Sequence, residues 1–169
     1  MGKDGSRHVA VAATKISLRL HRGDIMSPEK RSQLMARIKG RHTGPERAIA
    51  SALRTQGLYP SRHVRRLPGT PDFVFHRLQI AVFVDGNFWH GWQFDKWRLK
   101  LSERWEAKIA ANIRRDKAAH RALRRQGWKV IRIWEHQVEK DIDGCVRRIL
   151  EARSSARRAG PGQTRKGLV

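Results

Sequence analysis

The sequence predicts an α/β fold in which a small mixed β-sheet is flanked by helices. Three observations carry that expectation. Two short apolar runs, Asp72-Phe73-Val74-Phe75 and Ile80-Ala81-Val82-Phe83-Val84, are separated by a brief connection and read as a hairpin. A third run, from Trp128 to Trp134, has the apolar density of a strand buried on at least one face. Between the second and third runs, Trp105, Ile109 and Ile113 recur at spacing four, the period of a long amphipathic helix. Strands separated by a helix of that length bury their apolar faces as a sheet covered by helices.

The elements follow in order. Residues 1–25 show no period and mix Arg, Lys and Gly, so an extension is expected there, or an upstream start codon with Met26 as the domain's own first residue. Ser27-Pro28-Glu29 opens a helix over about residues 28–39, with Ser as N-cap, Pro at the first helical position and Gly40 as the stop. Thr43-Gly44-Pro45-Glu46 is a capping box that starts a second helix, with Ile49 and Leu53 on one face and Gly57 at its end. Tyr59–Val64 reads as a strand and Leu67–Pro71 as rigid loop. After the hairpin, Ser102 starts the long helix, which runs to Gly127. A last helix covers about residues 139–152, and the small, basic, Gly/Pro-rich stretch over 153–169 reads as a disordered tail. The domain proper is therefore expected over 26–152, in the order ααβββαβα, with no internal repeat.

Composition narrows the partners. The chain has 169 residues with 37 Lys+Arg against 15 Asp+Glu, a formal charge of +22. The excess is not confined to the ends, because residues 26–150 alone hold 27 Lys/Arg and 12 Asp/Glu. Such a field points to a polyanion, most simply nucleic acid. Cys145 is the only cysteine, which excludes a disulfide framework and a multi-cysteine zinc site. No apolar run nears the ~20 residues of a membrane span. A soluble, cytoplasmic protein without a membrane partner is expected, acting as a monomer.

The loop FVDGNFWHGW, residues 83–92, concentrates the chemistry. Asp72 heads one hairpin strand and Asp85 ends the other, so pairing places Asp72 beside the backbone of Val84 and Asp85 at one sheet edge. Two carboxylates and a carbonyl oxygen there would suit Mg²⁺. Ordinary turn chemistry also explains Asp85-Gly86. Glu46 is a further carboxylate, although the capping box alone accounts for it. His90 has the acidity of a general base. His8, His21, His42, His63, His76, His120 and His136 are scattered and show no ligand spacing. Phe88 and Trp89 are adjacent on an extended stretch, so at least one is expected to be exposed and able to stack on bases. Trp92 and Trp97 read as a satellite core over the loop.

Four ordered motifs, LPGTPDFVF, IAVFVDGNFWHGW, RWEAKIAANIRRD and GWKVIRIWEH, preceded by SPEKRSQLMARIKGRHTGPERAI, resemble the very short patch repair (Vsr) DNA mismatch endonucleases over about residues 26–138. The resemblance implies a PD-(D/E)xK restriction-endonuclease-like fold and Mg²⁺-dependent nicking of double-stranded DNA. The nick would fall 5′ to the thymine of a T:G mismatch left by 5-methylcytosine deamination. It implies Asp72 as metal ligand, Val84 as a ligand through its backbone carbonyl, His90 as general base, and Asp85 and Glu46 as active-site carboxylates. It implies Phe88, Trp89 and Trp105 as side chains that intercalate beside the mismatch, and Met35 as one inserted from the other groove. A functional link to a DNA cytosine-5 methyltransferase and to mismatch-repair proteins belongs to the same picture.

One departure stands out. Where the family carries Cys and His ligands of a structural zinc, this chain has Asn87, Trp92 and Phe94, so the zinc is expected to be absent and replaced by apolar packing. Two other functions compete with mismatch repair: a related restriction or phage-defence endonuclease, and a non-catalytic DNA-binding protein that retains the wedge and the basic surface.

Overall fold

The computed structural model describes residues 42–158, so the helix expected over 28–39, Met35 and the two ends of the chain lie outside the described residues. The described elements are α1 (Gly44–Thr55), β1 (Ser61–Arg62), β2 (Phe73–Phe75), β3 (Ile80–Asp85), α2 (Phe94–Trp97), α3 (Glu103–Arg125), β4 (Lys129–Trp134), α4 (Glu135–Lys140) and α5 (Ile142–Arg158). The chain packs as two units. The larger holds residues 42–92 and 111–158 of those described; the other includes Gln93–Ala110, and the long helix α3 contributes residues to each.

The sheet lies in the larger unit, with strand order β1-β2-β3-β4. β1, β2 and β3 run antiparallel, and β4 adds to β3 in parallel, from Ile80↔Lys129 to Asp85↔Trp134. A parallel neighbour needs a long crossover, and the segment containing α3 supplies it. The fold is thus mixed α/β with a mixed four-stranded sheet, as the apolar runs predict.

All six residues of β3 are buried, which is why the strand reads as an unbroken apolar run rather than an alternating one. Its side chains still alternate between two cores. Ile80, Val82 and Val84 join Ile49 and Leu53 of α1, Phe73, Ile131, Ile133, and Val146 and Ile149 of α5. Ala81 and Phe83 face the other way and pack with Leu123 of α3. Each fully buried Ile, Leu or Phe side chain contributes about 1.5–3 kcal/mol, so the two-sided burial fixes the position of β3's end, where the polar residues begin.

The capping box is formed as the sequence predicts: the Thr43 hydroxyl accepts from the Glu46 N–H, and a Glu46 carboxylate oxygen accepts from the Thr43 N–H. Gly69 holds the turn before β2. It has φ +77°, and a Cβ there would lie 2.9 Å from the Ala119 Cβ and 3.1 Å from the Phe83 ring. Only glycine satisfies both the conformation and the close approach.

Three elements differ from the sequence reading. β1 is only Ser61–Arg62, because the exposed Tyr59 and Pro60 have no partner strand to extend it. The expected last helix over 139–152 is two helices. Gln137 caps α4 by accepting from the Trp134 N–H at 3.0 Å, and Asp141 breaks the chain and caps α5 by accepting from the Gly144 N–H at 2.8 Å. α5 then continues through Arg158, so residues 153–158 are helical. Its apolar face, with Leu150 and Ala152, continues past 152 to Ala156. No described helix is long and apolar enough to cross a membrane.

Candidate active site

Polar side chains gather at the C-terminal end of β3 in two groups. The first lies around Asp72, just before β2. The Val84 N–H donates to Asp72 Oδ2 at 2.7 Å, and the Asp72 N–H donates to the Val82 carbonyl at 2.9 Å. A strand residue turns its N–H and C=O to the same side, so the Val84 carbonyl also faces the Asp72 side of β3. The sequence reading placed Asp72 beside the Val84 backbone, and the register does so.

Glu46 approaches from the first turn of α1 and His63 from the chain just after β1. One ligand atom each from Glu46, His63 and Asp72 lies within 4.8 Å of the others, the one such trio of His, Cys, Asp and Glu side chains among the described residues. Glu46 is 3% exposed, an unusual place for a carboxylate. It is held by the Thr43 hydroxyl at 3.0 Å and the His42 N–H at 2.8 Å, with an Arg62 guanidinium nitrogen 3.9 Å away. Its cap and its place beside Asp72 are compatible, because different contacts serve each. His63, set aside in the sequence for want of ligand spacing, belongs to this group. The sequence carried no signal for it, because the hairpin register alone brings residue 63 beside residue 72.

The Asp72 carboxyl is raised from 3.8 to about 7. Burial is the largest cause. The Val84 hydrogen bond opposes it, the negative charges of Glu46 and Asp85 add to it, and His90 opposes it. An acidic pair with this much unrelieved charge fits a divalent cation, and its hard oxygen donors with one imidazole suit several such ions.

The second group sits on the α3 face. Side chains alternate along β3, so Asp85 points away from the core that Val84 enters. The sequence reading united Asp72 and Asp85 as one pair of metal carboxylates. The structure instead gives Asp85 to Arg132 of β4, whose guanidinium donates to Asp85 Oδ2 in a charge-assisted bond. Such a buried carboxylate is compensated by its partner. His90 Nδ1 donates to Asp116 Oδ2 at 2.6 Å and lies 3.4 Å from Asp85 Oδ1. Arg132 also lies 3.6 Å from Asp116. Burial pulls the His90 pKa down, but the Asp116 hydrogen bond and the charges of Asp85 and Asp116 outweigh it, and the net shift is upward. Asp116 and Arg132 carried no role in the sequence reading. Asp116 is helical and charged like its neighbours Arg114, Arg115 and Lys117, and only the packing of α3 singles it out.

The loop after β3 is tied at its base. The Asn87 N–H donates to Glu135 at 3.2 Å, and His136 Nδ1 donates to Asn87 Oδ1 at 2.5 Å. The Trp92 ring lies 4.5 Å from the His136 ring and 5.0 Å from the Trp134 ring. Asn112 of α3 donates to the Trp89 carbonyl at 3.3 Å. Phe88 and Trp89 are both half-buried, with rings edge to face at 5.1 Å. In the other unit Trp105 is half-buried with the Lys108 ammonium 5.2 Å from its ring centroid, and Phe94 meets Trp97 edge to face at 5.2 Å.

Comparison with known proteins sets this geometry in a family. Residues 23–96 match the family described as DNA mismatch endonuclease Vsr. Over 146 residues the chain is 38% identical to the type II nicking enzyme V.NmeDIP of Neisseria meningitidis serogroup C, covering 85% of this chain and 99% of that one. The type II nicking enzyme V.XorIIP of Xanthomonas oryzae pv. oryzae is 37% identical over 135 residues, or 76% and 97% of the two chains. The DNA mismatch endonuclease Vsr of Escherichia coli is 34% identical over 114 residues, or 66% and 73%.

The raised Asp72 pKa has a consequence for stability. The folded protein holds this proton more tightly than the unfolded chain does. Below about pH 4 the group contributes no penalty; between about pH 4 and 7 the penalty grows as pH rises, and above 7 it is complete. Asp72→Asn should therefore match the native protein in stability near pH 4 and exceed it by a few kcal/mol, on the order of 2–4, at pH 8 in chelator. Urea denaturation at the two pH values measures this. A mutant that gains nothing between them would show that Asp72 ionises freely.

Proposed function

We propose that this chain, which belongs to the Vsr family of DNA mismatch endonucleases, nicks one strand of duplex DNA 5′ to the thymine of a T:G mismatch left by 5-methylcytosine deamination. The family makes it a DNA endonuclease with a PD-(D/E)xK-like fold. The observation that supports catalysis most directly is the His90–Asp116 pair beside the Asp72 group, at the root of a loop carrying Phe88 and Trp89.

His90 gives its Nδ1 proton to the bond with Asp116, which leaves Nε2 as the basic nitrogen. His90 is then the general base that takes a proton from water, and Asp116 holds the ring in that tautomer and stabilises the cation that forms. Asp85, paired with Arg132, lies 3.4 Å from Nδ1 of the same ring, and its charge also favours the protonated ring. Asp72 and the Val84 carbonyl are the residues that would hold Mg²⁺, with Glu46 beside them. Bound there, the ion would offset the negative charge that develops on the phosphate. Phe88 and Trp89 open the base stack. Unstacking costs a few kcal/mol per step and least at a mismatch, so a wedge favours T:G over paired DNA. The surrounding positive charge supplies sequence-independent affinity for the phosphates.

The loop holds its shape without a structural zinc. Such a site needs four ligands, and the base of this loop instead offers the Asn87–His136 hydrogen bond and the Trp92 contacts to His136 and Trp134.

Three outcomes are expected. Purified protein with Mg²⁺ should nick a T:G oligonucleotide and spare its C:G counterpart, Asp72→Ala should abolish nicking while binding persists, and Trp89→Ala should erase most of the preference for T:G. Equal cutting of both duplexes would mark a related endonuclease with another target, and no cutting at all would mark a DNA-binding protein.

The pH profile of nicking should have an acid limb above pH 6.5, because the raised His90 pKa keeps the base protonated below it. Asp116→Asn removes a charge that raises that pKa, so the limb should move to lower pH while the plateau rate falls about 10²–10⁴-fold. An unmoved limb would take His90 out of the base role.

In an Asp72→Ala background, where the proposed Mg²⁺ site is silent, chelator should leave the melting temperature unchanged, whereas Trp92→Ala, at a half-buried position, should lower stability by about 1–3 kcal/mol. A large drop on chelation would reveal a structural metal in the loop.

A further inference from the structure

His63 has a carboxylate at each of its ring nitrogens. Nε2 lies 3.4 Å from Glu46 Oε2, and Nδ1 lies 3.6 Å from Asp72 Oδ1. In its neutral form an imidazole has one N–H and one lone pair, so it donates to one of the two and turns the lone pair of the other nitrogen toward carboxylate oxygen, an arrangement that either a second proton or a cation relieves. Two ligand atoms each about 2.1 Å from one ion stand roughly 3.0–3.4 Å apart, so Nδ1 and Asp72 Oδ1, at 3.6 Å, need only a small approach to share one.

The surroundings say which nitrogen does which. Glu46 is anchored by the Thr43 hydroxyl and the His42 N–H, and its Oε2 is the atom facing Nε2. Its position suits the acceptor of an Nε2 proton, which leaves Nδ1 toward Asp72. A carboxylate that fixes the tautomer of a metal-bound histidine is a recurrent arrangement. The ring is also held firmly. The His63 N–H donates to the Asp72 carbonyl at 3.2 Å, the side chain is 10% exposed, and the His42 ring meets it edge-on at 4.8 Å. Its backbone adopts φ +48°, a conformation that a non-glycine residue occupies only when its neighbours enforce it, and one that recurs at functional sites.

We propose that His63 donates Nδ1 to the divalent cation at Asp72, with Glu46 receiving the ring's other proton, so that this is a mixed nitrogen–oxygen site selective for first-row transition ions over Mg²⁺. The inference rests on the placing of a cation at Asp72 under the proposed function. It adds a nitrogen ligand to that site and a metal preference. Imidazole nitrogen strengthens binding of Mn²⁺ and Co²⁺ relative to Mg²⁺, which favours oxygen alone. The mixed site would therefore take Mn²⁺ or Co²⁺ at concentrations where Mg²⁺ leaves it empty.

The test is spectroscopic and does not depend on turnover. Full-length protein is loaded with Mn²⁺, and pulsed EPR reads the coupling of the electron spin to ¹⁴N. The native protein should show one imidazole coupling that is absent in His63→Gln and in His63→Ala. Titration calorimetry should find Co²⁺ affinity reduced at least ~10-fold in both variants and Mg²⁺ affinity reduced less than ~3-fold. Two variants of different size guard against a folding defect, which circular dichroism in chelator would expose in either. A ¹⁴N coupling that survives in His63→Gln, or its absence from native protein that binds Mn²⁺, overturns the role of His63 and leaves the Asp72 site standing. Mn²⁺ binding by Asp72→Ala at native affinity overturns the cation site itself.

Discussion

The hydrogen bond from the Val84 N–H to Asp72 Oδ2 is the constraint on which the candidate site depends. Asp72 lies before a three-residue strand and would otherwise turn to solvent, where its charge is cheapest. The bond draws it against the end of β3, the most deeply buried strand, where burial makes its carboxyl difficult to ionise although the bond itself favours the charge. Everything else assembles relative to that point. Glu46 arrives because α1 packs Ile49 and Leu53 on the core below it, and His63 arrives because β1 pairs Arg62 with Phe73. The strain in His63 and the buried Glu46 are consequences of crowding three polar groups around one pinned carboxylate.

β3 divides the chemistry by its own alternation. Adjacent residues of a strand project to opposite faces, so Val84 and Asp85 serve different groups although they are neighbours in sequence. The Asp72 group has more negative charge than its neighbours relieve. The Asp85 group is balanced, with Arg132 between two carboxylates and His90 against Asp116. An unbalanced anionic group fits a cation from solution, whereas a balanced one fits proton transfer, which is the division of labour that phosphodiester hydrolysis requires.

The sequence revealed what local physics controls. The capping box at Thr43–Glu46, the hairpin and the long helix each follow from short-range patterns, and the register of the hairpin made Asp72 and Val84 neighbours on paper. The residues it hid depend on contacts far along the chain. His63 lies nine positions before Asp72, with a proline-rich turn between, and nothing in its spacing marks it. Asp116 and Arg132 are charged residues in a chain full of them. Only the packing of α3 and β4 on the same face of β3 turns them from surface charges into partners of His90 and Asp85. Asp85 is given to Arg132 instead of the Asp72 group because alternation along β3 turns it to the face opposite Val84. Asp141, an ordinary helix-cap residue, was passed over because the apolar pattern runs on through it.

The loop over residues 86–92 links the two functions assigned to this site. Its base is fixed on one side by Glu135 and His136 and on the other by Asn112, whose amide holds the Trp89 carbonyl. His90 follows Trp89 directly, and its own carbonyl lies 3.5 Å from Arg132. Under the proposed function, a base stacked on Trp89 would therefore load the same few peptide units that position the proposed general base. Asn112 and Asp116 lie four residues apart on one face of α3, so the Trp89 carbonyl and the His90 ring are held from the same helix. Under that same reading, discrimination between substrates would reach the rate of proton transfer as well as binding, because the stacking residue and the general base share one short, doubly anchored loop.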